Sequence, residues 1–373
     1  MTPEPLLRQR VNGYEIPVSP CNSAVTSLTC GPDGYVIGAS SGAERAHLFV
    51  FDNIANRRVA LLRTLDEPCT VHHSLVFDQA KHLYLGTMPP LDAMERVAWG
   101  KSYAGGHLYR FSVSTNVAKN EEGAETTIFA GSPLEDCGIP VPGEGIQHLV
   151  FSALHRRIYG LTCPGAHLFY FDLNDGSLHD KGRLLGNEVP SFFSEHLRPR
   201  ALVEDGQGNI YCTGAGGYFS RYDPSTDEVV RLSLRTPGMR VRQEWDTVES
   251  FCRLPQGDIY GGTADGYLFR FRPQEGTLVN LGKPSIEKRI RSIVCGQGDM
   301  LYGIAGDFRG AAHIFRYDLR SGGYHDLGML SYIPVEDSSP WTAYHIAVMI
   351  SDRQGVLYLG ENDITSHLFV FFP

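Results

Sequence analysis

The sequence predicts an all-β protein: a seven-bladed β-propeller of four-stranded antiparallel blades, with an N-terminal strand closing the last blade. Three observations carry this. One phrase recurs seven times in 373 residues. Its apolar runs alternate with a period of two, as a half-buried strand requires. The last copy runs only to its third strand, while an unassigned strand precedes the first copy.

The phrase is an apolar run, a polar turn, Leu/Ile-Tyr-x-Gly, a small-residue loop, and His/Tyr-Leu-Phe-x-Phe/Tyr-Asp. Its second element is read at Tyr35–Gly38, Tyr84, Tyr159, Tyr211, Tyr260, Tyr302 and Tyr358. Its third is read at His47–Asp52, His107–Ser112, His167–Asp172, Tyr218–Asp223, Tyr267–Arg272, His313–Asp318 and His367–Phe372. Copies lie roughly 42 to 75 residues apart, the period of propeller blades. The runs are rich in β-branched and aromatic residues, as in Leu168-Phe169-Tyr170-Phe171. Turn residues punctuate them at 31–34, 205–209, 255–258 and 352–355. No amphipathic helix interrupts the pattern. Residues 11–18 (VNGYEIPV) are expected to complete the C-terminal blade, so that 1–373 forms one domain without an open sheet edge.

Composition narrows the function. The chain carries 33 Lys+Arg against 42 Asp+Glu, a formal charge of −9. That balance argues against general nucleic-acid binding. No stretch approaches the length of an apolar membrane span. The N-terminus has no apolar signal-peptide core, so a cytoplasmic protein is expected, or an exported one if the sequence has lost its signal. Eight Cys, at 21, 30, 69, 137, 163, 212, 252 and 295, form no CxxC pair and no dense framework. Cys30, Cys212, Cys252 and Cys295 lie in apolar runs and read as buried free thiols. No GxGxxG or P-loop is present, and no GxSxG sits at a strand-to-helix elbow.

The repeat separates structure from function. Five of the 14 His open third strands: His47, His107, His167, His313 and His367. Tyr218 and Tyr267 replace them in the other blades. A substrate site is not built five times around a ring, so a packing or hydrogen-bonding role is expected. His179 and His325, each in a His-Asp pair on a fourth strand, read the same way. At the entry to the innermost strands the copies differ instead. Aligned there are Thr26, His73, Gln147, Arg200, Glu249, Arg291 and His345, all polar. One step earlier lie Val25, His72, Ile146, Pro199, Val248, Ile290 and Tyr344. One step later lie Ser27, Ser74, His148, Ala201, Ser250, Ser292 and Ile346. Long connections on the same predicted face, at 88–106, 118–145, 183–198, 230–246 and 328–343, carry Trp99, Trp245, Trp341, Phe192 and Phe193. Such aromatics either stack on a sugar ring or pin the loops to the body.

The DGxhYxGx…HLFxFD phrase resembles polysaccharide-degrading propellers, among them the ulvan lyases and the rhamnose–glucuronate lyases. The repeating Trp-Asp of WD40 blades is absent. The resemblance implies a His or Tyr acid/base and an Arg or metal that neutralises a uronate carboxylate. It carries no residue over by alignment, so candidates come from position in the repeat. Proton removal α to a carboxylate needs a base, a cation for the enolate-like charge and an acid for the leaving oxygen. His73, His72, Tyr344 and His345 are the candidate catalytic groups. Arg200, Arg291, His148, Gln147, Glu249, Trp99, Trp245 and Trp341 are the candidate substrate-binding groups.

The expected function is a monomeric polysaccharide lyase acting on an acidic oligo- or polysaccharide, with no nucleic-acid or membrane partner. No cofactor is required. A divalent metal ion in the central channel, held by His72, His73, His148, His345 and Glu249, is a second use of the same ring. A non-catalytic propeller gripping a glycan or protein stands as an alternative. It gains if the ring groups are salt-bridged to one another. A glycoside hydrolase is a further alternative, with Glu249 and Asp246 as its carboxylates.

Overall fold

A computed structural model describes residues 10–42, 45–52, 57–90, 103–119, 125–184, 199–239, 246–307, 311–333 and 339–373. The alternating runs form seven antiparallel sheets. Blade 1 is Ala24–Cys30, Val36–Ser41, His47–Asp52 and Arg58–Thr64. Blade 2 is Leu75–Phe77, His82–Gly86, Leu108–Lys119 and Glu135–Gly138. Blade 3 is Gly145–Ser152, Arg157–Cys163, His167–Asp172 and Leu178–Arg183. Blade 4 is Val203–Glu204, Ile210–Thr213, Tyr218–Asp223 and Glu228–Arg235. Blade 5 is Val248–Arg253, Ile259–Thr263, Leu268–Arg272 and Thr277–Gly282. Blade 6 is Ile290–Cys295, Met300–Ala305, His313–Asp318 and Tyr324–Met329. Blade 7 takes Ile346–Ser351, Leu357–Glu361 and His367–Phe371 from the C-terminus, and Val11–Glu15 as its outer strand. Val11 faces Phe371 and Glu15 faces His367, so the N-terminal strand closes the last blade as expected.

The core lies between blades. Seven buried apolar clusters each join neighbouring blades, and together they close the circle. The 5–6 cluster, for example, packs Tyr260 and Leu268 against Ile293 and Phe315. The 7–1 cluster packs Val370 and Tyr358 against Val25 and Phe51. The Gly of the repeat lies opposite the third-strand Phe, as Gly160 faces Phe169. A Cβ on Gly160 would overlap that ring, so the position admits no side chain.

Two sequence expectations shift. In blade 1 the register pairs Ile37 with Val50, as Tyr159 pairs with Tyr170, so Ile37 and not Tyr35 occupies the repeat's Tyr place. The stretch 118–145 is not one long connection. Glu125–Gly131 pairs back on Leu108–Lys119 as a hairpin, and Glu135–Gly138 is the fourth strand of blade 2. The β-branched and aromatic run Thr126-Thr127-Ile128-Phe129 favours that pairing. No helix among the described residues is long and apolar enough to cross a membrane.

The third-strand histidines are latches. His107 Nδ1 lies 2.9 Å from Asp136, His167 Nδ1 3.0 Å from Asp180, and His313 Nδ1 3.0 Å from Asp326, each acceptor on the neighbouring fourth strand. His47 uses Thr64 at 2.9 Å. In blade 7 the fourth strand comes from the N-terminus, and His367 turns instead to Glu361 on the second strand at 3.0 Å. Where Tyr replaces His, a cation covers the ring: Arg231 on Tyr218 and Lys283 on Tyr267, at 4.7 and 4.5 Å.

Candidate functional site

Five of the innermost strands enter the hub through a disturbed register. Bulges fall between Val25 and Ser27, Ile146 and His148, Val248 and Ser250, Ile290 and Ser292, and Ile346 and Val348. A bulge leaves one residue unpaired and re-aims its side chain. The re-aimed residues are Thr26, Gln147, Glu249, Arg291 and Ala347. In blade 2, Ser74 faces Gly86 as Ser250 faces Gly262, so His73 holds the equivalent place, with a positive φ of 45°. In blade 4, Val203 faces Tyr211 as Cys252 faces Tyr260, which sets Arg200 at the same level.

Six of the seven hub positions read from sequence therefore hold, and the seventh does not. The ring residue of blade 7 is Ala347, with Ile346 and Val348 at the flanking levels. His345 sits two residues earlier, level with Arg289. Tyr344 is 59% exposed, outside the ring. The apolar run of blade 7 extends through its bulge, so the polar residue before the run no longer marks the ring.

The ring divides into two arcs. On the first, His73 and His148 lie with ring centroids 6.4 Å apart and near-parallel planes, and His72 lies 6.1 Å from His73. His148 Nδ1 and Gln147 Oε1 are buried and take no hydrogen bond among the described residues. Both hub imidazoles keep some accessible surface but are ringed by protein. Burial is the main cause that drives His73 well below the ordinary histidine value, helped by His72, His148, Arg291 and Arg200. Burial alone takes His148 down to about 4. Both are neutral at pH 7.

On the second arc the buried Glu249 gathers arginines. Arg289 Nη2 donates to both its oxygens at 3.0 and 3.2 Å. Arg200 Nε lies 3.5 Å away and Arg291 Nη1 4.0 Å. Asp307 takes Arg291 at 3.2 Å and Arg289 at 3.7 Å. Burial would raise the Glu249 carboxyl, but Arg200, Arg289 and Arg291 outweigh it and hold it at about 2. Burial brings Arg291 down to about 10, against the pull of Glu249, so it stays charged. Arg200 and Arg291 are also the two arginines whose charge acts on His73 across the hub.

A cavity of about 190 Å³ occupies the hub, larger than the roughly 150 Å³ that houses a benzene ring. Its polar tier includes His73, His148, Glu249 and Arg291. One step deeper lies an apolar tier of Leu28, Leu75, Leu149, Phe251, Ile293 and Met349. Arg200 reaches the cavity only through Glu249.

Other sequence candidates sit elsewhere. Thr26 is buried and clamps blade 1 to blade 2, donating to Val71 O at 2.6 Å. His345 Nδ1 donates to Asn362 O at 3.1 Å, and burial, with Arg291 second, lowers it to about 3. Trp341 is a pin: its Nε1 lies 3.2 Å from both oxygens of buried Glu361 and its ring 4.5 Å from His367. Asp246 is buried and paired with Arg235 at 2.5 Å. Trp99, Trp245, Phe192 and Phe193 lie outside the described residues. Among those described, no three His, Cys, Asp or Glu side chains group closely enough to hold a metal ion. Arg289 and Asp307 were not among the sequence candidates. The Arg289-Ile290-Arg291 spacing was the available signal for the first, since alternate residues of a strand share a face.

No protein-family model matches the chain, and no curated protein does. Solved structures match across its length. A streptogramin B lyase aligns over 98% of this chain and 99% of its own, with TM-score 0.63 and 11% identity. A catalytically inactive histidine-to-alanine variant of virginiamycin B lyase from Staphylococcus aureus, solved with quinupristin, aligns over 98% and 99% with TM-score 0.65 and 10% identity. The extracellular domain of a one-component system from B. thetaiotaomicron aligns over 97% of this chain and 40% of its own, with TM-score 0.60 and 15% identity. At such identities the likeness is one of fold.

Proposed function

We propose that the hub binds the carboxylate of an acidic saccharide and removes the adjacent proton, cleaving the chain by β-elimination. The observation that carries this is the neutral His73–His148 pair facing the arginines gathered on Glu249, across one cavity. Arg291, which lines the cavity, would take the carboxylate and stabilise the enolate-like charge, backed by Arg200 through Glu249. His73 would take the proton. Its low proton affinity in the empty hub is set by burial and by nearby cations. A bound carboxylate offsets those cations and raises the affinity, so the base strengthens once substrate arrives. The leaving oxygen would take its proton from the newly protonated His73, with the neutral His148 beside it in the same cavity. The apolar tier suits the CH face of a sugar ring. Two propellers of matching length are lyases by name, and one is inactive as a histidine variant, which accords with this reading.

One observation favours the non-catalytic alternative: Arg200, Arg289 and Arg291 already face Glu249. That reading predicts binding without turnover. The hydrolase alternative fares worse. Glu249 is held ionised by arginines, so it cannot donate a proton, and Asp246 is committed to Arg235. The deciding assay follows ultraviolet absorbance of an unsaturated uronate product on a panel of acidic polysaccharides. Rising absorbance that His73→Ala abolishes supports elimination. A flat trace with calorimetric binding that Arg200→Ala removes supports the binding propeller instead.

A further inference from the structure

The inner strands of blades 5 and 6 pack side by side and bring two thiols together beside the apolar cluster between these blades. Cys252 Sγ lies 3.1 Å from Cys295 Sγ. Cys252 follows Phe251, and Cys295 lies two residues beyond Ile293; both of those residues line the hub cavity. Each cysteine is only partly buried, so a small reagent has a route to the pair. A disulfide needs sulfurs about 2.05 Å apart, within reach of a small side-chain rotation from this position.

From this contact we infer that Cys252 and Cys295 form a reversible dithiol–disulfide couple, oxidised by hydroperoxides, that staples blade 5 to blade 6. The Cys252 thiol hydrogen-bonds the Cys295 sulfur; this bond lowers the Cys295 thiol and raises that of Cys252. Cys295 is therefore the attacking thiolate. It attacks the terminal peroxide oxygen, so an S–O bond forms and the O–O bond breaks. The alkoxide leaves and takes a proton from water, and Cys295 becomes a sulfenic acid. Cys252 then attacks the Cys295 sulfur. The S–S bond forms, the S–O bond breaks, and hydroxide leaves with the Cys252 proton as water. The two sulfurs give up two electrons and the peroxide receives them. A thiol reductant reverses the change. The couple is independent of what the hub binds.

The test is peptide mapping of the folded, full-length protein after hydrogen peroxide, with native alkylation before digestion. The expected result is one cross-linked peptide pair joining Cys252 to Cys295, lighter by two hydrogen atoms and restored by dithiothreitol. Cys252→Ser should leave a sulfenic acid at Cys295 that dimedone captures, and Cys295→Ser should leave Cys252 a free thiol. Recovery of both residues separately alkylated, or of sulfonic acids without the cross-link, would overturn the inference in the unmodified protein, whatever the variants do.

Discussion

Histidine appears in this propeller in two settings with opposite proton chemistry. At the blade flanks His107, His167 and His313 each face a carboxylate on the next strand. The bond to Asp326 raises His313 above the ordinary value. In the hub, among the described residues, neither His73 nor His148 is paired with a carboxylate; burial lowers both, and nearby cations add to the effect on His73. The flank arrangement recurs and the hub arrangement occurs once. A ring protein reuses what holds each blade together and varies what its single axis presents. The partner, and not the residue type, decides whether an imidazole is a staple or a base.

The sharpest way to break the contrast is at the hub base. His73→Asn should cut turnover by about 10²–10⁴-fold, the usual contribution of an acid/base group, while leaving the unfolding midpoint nearly unchanged. A comparable loss from His313→Asn would erase the distinction. Next in size is the buried anion. Glu249→Ala leaves three guanidiniums crowded without their central carboxylate, and urea unfolding should report a loss of about 3–5 kcal/mol.

The pH dependence of the two settings should have opposite sign. His148 has a folded value near 4, below its unfolded value of about 6.5. The unfolded chain protonates first, so this group removes stability as pH falls from about 6.5 towards 4, on the order of 1–3 kcal/mol. His148→Asn should flatten that slope in denaturation curves. For His313 the folded value is raised, so its contribution is present below about 6.5 and is lost as pH rises through the folded value. The smallest effect is the latch itself. His313→Ala should cost about 0.5–1.5 kcal/mol, with a wider gap from the native protein at pH 6 than at pH 8.

Much of this was legible before any coordinates. The alternation and the recurring Tyr-Gly and His-Leu-Phe phrases locate all seven blades, because each position answers to a packing need that recurs. A structural role for His107, His167 and His313 follows from repetition alone; their Asp partners come from the fold. The hub was legible in six of seven blades. It failed in blade 7 because Ala347 and Val348 continue an apolar run through the bulge, so counting from the run's start landed on His345. Arg289 and Asp307 were missed for a different reason. They reach Glu249 and Arg291 from positions outside the aligned ring, and only the folded backbone brings them there. For Trp341 the sequence leaves platform and pin both open, and its bond to Glu361, 20 residues away in sequence, makes it a pin.

The contrast rests on protonation, and protonation can be observed directly. Selective ¹⁵N labelling of histidine, with ring signals assigned by His73→Asn, His148→Asn and His313→Asn, would follow each imidazole from neutral pH downward. The account predicts that His313 gains its proton above about 6.5, while His148 stays neutral down to about 4 and His73 stays neutral well below the ordinary histidine value. Protonation of His73 and His148 together with His313, near or above the ordinary value, would mean that the hub holds charged imidazoles and no base.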